Sequence, residues 1–167
     1  MFDDPIDDAF EYDPRIDVMV RQAGTITDLI LNADFLLGEY VNELLKARLP
    51  LLEMAGEIGL TAEQRCRLVV WDMGVREGSA DLNETFDLML AICRARVNLG
   101  RLSPQKLIAD LGSVYVRECH PESDEEYVLG ADPFANVRYA VAGYLGYAQR
   151  FLKEAAEMEP DEDTGEE

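Results

Sequence analysis

The 167-residue chain is predicted to fold as an all-α single domain, a bundle of about six or seven helices. Apolar residues recur every three or four positions over long stretches, which is the period of an amphipathic helix. Start signals and glycine terminators divide these stretches into segments, and no alternation of strands with helices indicates a parallel sheet. The apolar share of 48% is that of an ordinary globular domain, so the core should need no metal or disulfide to fold.

Three regions are distinguished by composition. Residues 1–12 are interpreted as a flexible acidic segment, residues 13–158 as the helical domain, and residues 159–167 as a disordered acidic tail. No basic or apolar leader and no run of about 20 apolar residues is visible, so we expect a cytoplasmic protein without a membrane span.

The first helices follow from their start signals. Asp13-Pro14 places an N-cap before a first-turn proline, and the short helix that follows should reach Ala23. Thr25 then caps a helix over 26–48, which a proline two residues later ends. That helix carries the clearest apolar stripe of the chain: Ile26, Leu29, Ile30, Ala33, Leu37, Tyr40, Val41, Leu44 and Leu45.

The middle of the chain is divided in the same way. Helices are predicted at 50–58, from Thr61 to about Arg76, and at about 80–98. Thr61 and Gln64 have the spacing of a capping box, in which each side chain bonds the backbone N–H of the other residue. The run Leu68–Trp71 inside the second of these helices is rich in β-branched residues and is also compatible with a strand.

Two more helices carry serine-proline and aspartate-proline starts. One opens at Ser103-Pro104, and the other runs from Asp132-Pro133 to about residue 158. The helices over 26–48 and 133–158 are the longest, and we expect them to pair as the spine of the bundle. Predicted core positions of the last three helices are Leu82, Phe86, Leu90, Cys93, Val97, Leu107, Ile108, Leu111, Val114, Tyr115, Phe134, Val137, Val141, Tyr144, Leu145, Phe151, Leu152 and Ala155.

The formal charge of −19 is concentrated in three places. Residues 1–17 carry a net −6, the predicted loop around 118–132 another −6, and residues 154–167 a net −8, whereas the rest of the chain is close to neutral. Separate acidic segments keep a protein soluble and attract basic partners. Direct binding to nucleic acid is not expected from this balance.

Candidate contact residues fall in these segments and on the last helix. In residues 1–12, bulky apolar groups alternate with acids, as in short segments that dock onto a basic-rimmed groove; folding back onto the chain's own domain is the alternative. Two tyrosines of the last helix lie off its apolar stripe. The predicted partner-binding residues are Phe2, Ile6, Phe10, Tyr12, Glu122, Asp124, Glu125, Glu126, Tyr139 and Tyr147, and a possible anion-binding patch comprises Arg94, Arg96, Arg101 and Lys106.

No catalytic or metal-binding signature is found in the sequence. Cys66, Cys93, Cys119 and His120 supply a Cys3His set by count, but they lack the close pairing of zinc ligands. Cys66 and Cys93 lie in apolar helical patterns and are expected to be reduced thiols that pack as small core residues. Neither a cofactor nor a metal is therefore predicted, and no enzyme activity.

Three functional hypotheses remain from the sequence. The first is a non-enzymatic interaction module (an adaptor, assembly chaperone or inhibitor) that binds a basic protein partner through a helical face and acidic segments. The second is an acidic mimic of nucleic acid that inhibits a DNA- or RNA-binding protein. The third is a small helical enzyme or ligand-binding protein with a pocket between helices.

Overall fold

A computed structural model of the chain describes residues 11–48, 59–77, 82–119, 122 and 130–157. Over these residues the structure is helical and contains no strand, which confirms the all-α prediction. A short π-helical segment precedes five α-helices: Ile16–Arg21, then α1 at Ile26–Arg48, α2 at Ala62–Glu77, α3 at Leu82–Val97, α4 at Pro104–Cys119 and α5 at Pro133–Glu157. None of the helices described is long and apolar enough to cross a membrane.

Four of the predicted N-caps are confirmed, whereas Asp13 is not the N-cap of the segment that follows it, which begins after Arg15 without a side-chain cap. The Thr25 hydroxyl accepts the backbone N–H of Asp28 at 3.1 Å, and Ser103 and Asp132 cap α4 and α5 in the same way. Thr61 and Gln64 bond each other reciprocally at 2.9 and 3.2 Å, as a capping box requires. Because these bonds join residues three positions apart, the sequence alone indicates where these four helices begin.

The α1–α5 pair forms the most extensive helix contact among the described elements, as expected for the spine. The whole predicted stripe of α1 is buried, and Leu36, which the prediction omitted, is buried with it. In α5, buried residues follow one face from Val137 to Ala155. The other elements pack around α1, which contacts α2, α3, α4 and the π-helical segment.

The segment before α1 is wound differently from the prediction. A short α-helix was expected to reach Ala23, but Ile16–Arg21 is a π-helix, and the Gln22 N–H bonds the Asp17 carbonyl five residues earlier. Side chains from other helices donate hydrogen bonds to backbone carbonyls of this segment. Asn32 donates to the Met19 carbonyl and Arg138 to the Ala23 carbonyl, each at 2.8 Å. These long-range bonds are invisible to a periodicity argument.

Two expectations within the bundle are resolved by packing. The run Leu68–Trp71 is helical and lies inside α2, so its alternative as a strand is wrong. Val97 was assigned to the core of α3 but is 63% exposed, because the buried face of that helix is centred on Phe86, Met89, Ile92 and Cys93. The buried thiols of Cys66 and Cys93 are free, as predicted.

Some predictions lie outside the described residues. They concern the helix at 50–58, most of the acidic loop, the acidic segment before Glu11 and the tail after Glu157. Within the loop region, α4 extends to Cys119, and residues 130 and 131 form a turn before α5.

A matched pair of substitutions tests the arrangement of α1. Leu36 is fully buried and Leu31 is 38% exposed on the same helix. Leu36→Ala should lower the free energy of unfolding by about 2–5 kcal/mol, because it removes buried methyl groups and leaves a cavity. Leu31→Ala should cost less than about 1 kcal/mol. Urea unfolding followed by circular dichroism measures both, and equal losses would contradict the described burial.

Candidate interaction surface

Two tyrosines of α5 project from the bundle. Tyr139 is 59% exposed and Tyr147 is 53% exposed. They are eight residues apart, about 12 Å along the helix axis and a little over two turns, so they share one side of α5. Gly143 lies midway between them, and a side chain added there would meet nothing within 4 Å. We call Tyr139, Gly143 and Tyr147 the tyrosine face.

Neighbouring side chains orient both rings of this face. The Arg21 guanidinium lies 5.9 Å from the centre of the Tyr139 ring, within the range of a cation–π contact. The Tyr147 ring stacks on Phe151 with centres 5.9 Å apart and planes inclined by 10°. Since each ring already has a neighbour, less side-chain freedom would be lost when a partner covers it.

The N-terminal end of the described chain folds back onto α5. Gln149 donates to the Glu11 carbonyl at 3.1 Å and accepts the Asp13 backbone N–H at 3.0 Å. The Tyr12 ring covers Gly146, where an added Cβ would lie 3.0 Å from the ring. Residues 1–12 have two alternative interpretations: docking onto a partner, or folding back onto the chain's own domain. Glu11 and Tyr12, the residues of this segment that the structure describes, fold back onto α5. We call Glu11–Arg15 the N-terminal clasp.

The Asp13 carboxylate is the polar centre of the clasp. It accepts bonds from the Arg15 guanidinium at 2.9 Å and from the Tyr40 hydroxyl of α1 at 2.8 Å. Arg15 also pairs with Glu39 at 2.6 Å. The hydrogen bonds from Arg15, followed by that from Tyr40, hold the pKa of Asp13 below its ordinary value of 3.8. Burial and the neighbouring carboxylate raise the pKa of Tyr40, which therefore stays a hydrogen-bond donor.

The predicted anion-binding patch is balanced by carboxylates. Arg94 lies 3.5 Å from Glu63, and Lys106 lies 2.7 Å from Asp110. Arg96 faces Asp34 at 3.9 Å, while Arg101 is exposed in the turn between α3 and α4. Asp34 of α1 and Glu63 of α2 are distant from this patch in sequence, and only the fold brings them near it.

The described surface has two grooves near the patch and the clasp. One, of about 240 Å³ between α3 and α4, is smaller than the roughly 300–1,000 Å³ of common ligand pockets. The other, of about 720 Å³, lies beside the clasp and is lined by groups of both charges, among them Glu43 and Lys153. No serine, cysteine or histidine is among its described lining residues, and the described part of the chain holds no cluster of three metal-ligating side chains.

The remaining predicted contact residues are distributed as follows. Glu122 is an exposed turn residue, and Tyr12 is 40% exposed at the clasp. Phe2, Ile6, Phe10, Asp124, Glu125 and Glu126 lie outside the described residues.

A second exposed apolar group was missed by the sequence analysis. On α1, Leu31 is 38% and Phe35 is 53% exposed, one turn apart on either side of the half-buried Asp34. Burial raises the pKa of Asp34, and Arg96 opposes that shift. The sequence does carry a signal for this group, because Leu31 and Phe35 are four positions apart and lie outside the predicted apolar stripe of α1.

The fold and this surface define the class of protein: an all-α bundle with aromatic side chains exposed on its last helix. Comparison with protein-family models, curated proteins and solved structures finds no match to the chain.

The packing of Tyr12 on Gly146 yields a prediction with an internal control. Gly143→Ala should raise the free energy of unfolding by about 0.5–1 kcal/mol, since alanine is the better helix former and its methyl group meets open space. Gly146→Ala should gain less, because Tyr12 must move. In a Tyr12→Ala background the two gains should become equal. Urea unfolding at one pH measures all variants, and equal gains with Tyr12 present would show that the ring does not lie there.

The Asp13 carboxylate predicts an acid dependence of stability. Because its pKa is lower in the folded than in the unfolded chain, its contribution is present above the unfolded pKa and is lost as pH falls through the folded pKa. Asp13→Asn should cost about 1–3 kcal/mol at neutral pH and converge with the wild type in strong acid. Asp110→Asn, at an exposed pair, should cost less than about 0.5 kcal/mol. Unfolding free energies are measured from pH 7 to pH 2. A constant difference between Asp13→Asn and the wild type over this range would contradict the role of Asp13.

Proposed function

We propose that this protein is a non-enzymatic interaction module that binds a protein partner through the tyrosine face, aided by its acidic segments. The observation that carries the proposal is the exposure of Tyr139 and Tyr147 on a helix whose opposite side is fully packed. A helix that already buries a complete apolar face does not need two further aromatic rings for folding. Their placement is explained if a second molecule covers them.

Tyrosine suits such a contact for physical reasons. Its ring offers a large apolar area with few rotatable bonds, and its hydroxyl finds a hydrogen-bond partner at a wet rim. Tyrosine is enriched both in interfaces and among the residues that dominate binding energy. Gly143 between the two rings leaves room for a partner side chain or backbone to approach the helix closely.

The charge distribution favours a basic partner. The net −19 is concentrated in segments of the sequence around 1–17, 118–132 and 154–167, while charges of the described bundle pair with one another. Exposed acidic segments accelerate encounter with a basic molecule and raise specificity more than they raise affinity. The tyrosine face would then supply most of the energy that holds the complex, and the acids most of its salt dependence.

The other two hypotheses receive less support. A mimic of nucleic acid needs one sign of charge in a fixed array, whereas Glu63, Asp34 and Asp87 each face an arginine. A ligand-binding protein needs an enclosed apolar pocket, whereas the larger of the two grooves described above is open and polar.

Removal of the two exposed rings tests the proposal. Tagged wild type and the Tyr139→Ala/Tyr147→Ala variant are expressed in the native host, and the proteins that co-purify are quantified by mass spectrometry. A true partner should fall at least about tenfold with the variant, since the loss of two anchoring aromatics exceeds about 1.4 kcal/mol. Val97→Ala removes an equally exposed apolar side chain from α3 and should leave the partner bound.

Neutralising acidic residues distinguishes the contribution of the acidic segments from that of the tyrosine face. A variant with Asp161, Glu162, Asp163, Glu166 and Glu167 changed to amides should bind the same partner with a slower association rate and weaker salt dependence. Partner recovery that is unchanged by the tyrosine variant but abolished by the amide variant would sink the tyrosine face and favour the nucleic-acid mimic.

A further inference from the structure

Two cysteines from different helices meet in the core. The Sγ atoms of Cys66 on α2 and Cys93 on α3 are 3.6 Å apart, although the residues are 27 positions apart in sequence. Each residue is only 2% exposed, and both thiols are free. A separation of 3.6 Å is a contact between two reduced sulfurs, and it is close enough for a bond to form after a small side-chain rotation.

The surroundings favour the neutral form of the Cys66 thiol. The hydrogen bond with Cys93, together with burial, raises the pKa of the Cys66 thiol far above its ordinary value. The Asp34 and Glu63 carboxylates add to this effect. A fast redox sensor has the opposite character, with an exposed thiolate beside positive groups.

The number of available ligands and the volume decide which product this site can accept. Two thiolates supply only half of the four ligands of a structural zinc site, and no group of three metal-ligating side chains is found among the described residues. A disulfide carries no charge and occupies less volume than two separate thiols. The site is therefore suited to oxidation and not to metal binding.

We propose that Cys66 and Cys93 form an oxidative modification site, at which a small uncharged peroxide converts the two thiols into one disulfide that links α2 to α3. This role is independent of the tyrosine face. The sulfurs must approach by about 1.6 Å to reach the bond length of about 2.0 Å. Because both thiols are buried and the pKa of Cys66 is raised, the reaction depends on local opening of the α2–α3 contact and is slow.

The chemistry balances in two steps. One thiol loses its proton, and its sulfur attacks a peroxide oxygen; the O–O bond breaks, the departing oxygen takes the proton, and water and a sulfenic acid result. The second sulfur then attacks the first, the S–O bond breaks, and the hydroxyl leaves with the second thiol proton as water. Two sulfurs are oxidised and one peroxide is reduced, so two thiols and one hydrogen peroxide give one disulfide and two waters.

The disulfide would hold α2 and α3 in register. It joins two residues 27 positions apart in sequence, and closing the chain between them restricts the unfolded state. A bundle exposed to sustained oxidation would thus become harder to unfold, while brief exposure would leave it unchanged.

The test uses the full-length Cys119→Ser protein, so that only this pair can link within one chain. The folded protein is incubated with hydrogen peroxide, free thiols are then alkylated in denaturant, and a tryptic digest is analysed without reduction. The expected product is peptide Cys66–Arg67 joined to peptide Glu77–Arg94, formed over hours and released by reductant. The midpoint of thermal unfolding should rise by about 5–10 °C.

Control variants make the result decisive. Cys66→Ala and Cys93→Ala in the same background keep an apolar core but cannot form the link, so their unfolding midpoints should not rise after oxidation. The proposal is overturned if the folded protein keeps both thiols while the urea-unfolded protein is fully linked. It is equally overturned if one cysteine proceeds to sulfinic acid, or if the disulfide joins two molecules.

Discussion

The structure depends on the burial of α1 at Ile26–Arg48. Its apolar residues extend over a wide arc of the helix, from Leu29 to Leu45, so a single neighbour could not cover them. Helix α5 covers one side of α1, while α2, α3, α4 and the π-helical segment cover the remainder. At about 25 cal/mol for each Å² of apolar surface removed from water, this burial favours the docking of the other helices on α1. Every surface considered above takes its position from a helix that is docked against α1.

Polar side chains hold in place the described residues that precede α1. Asn32 and Arg138 satisfy the carbonyls of Met19 and Ala23, while Tyr40 and Gln149 hold the N-terminal clasp. A buried backbone carbonyl left without a donor would be costly, so these bonds favour one arrangement of the segment over others. The consequence reaches the proposed interaction surface. The π-helical segment brings Arg21 to Tyr139, and the clasp lays Tyr12 on α5 beside the tyrosine face.

Charge and packing contribute to the proposed function in separate ways. The described bundle pairs acids and bases across helices, as Arg96 with Asp34 and Arg94 with Glu63, so charges of both signs lie side by side there. The excess of acids lies in segments of the sequence that flank the helices. A partner would first be attracted by those acids over a distance limited by salt screening, and then held by contact with exposed rings. The two cysteines play no part in that contact, since they are buried between α2 and α3.

The sequence by itself determined the features whose causes are local. Helix starts at Thr25, Thr61, Ser103 and Asp132 depend on bonds between residues three positions apart. Gly100, with a φ of +80°, lies in the turn after α3, where glycine adopts that conformation freely. The long apolar stripes also identified the α1–α5 spine. What only the tertiary structure decided are contacts between distant positions. These include the π-helical winding before α1, the exposure of Val97, the carboxylates facing the arginines of α3, the clasp on α5 and the meeting of Cys66 with Cys93. Such contacts depend on how helices are placed relative to one another, and periodicity along one helix carries no information about its neighbour's rotation or register.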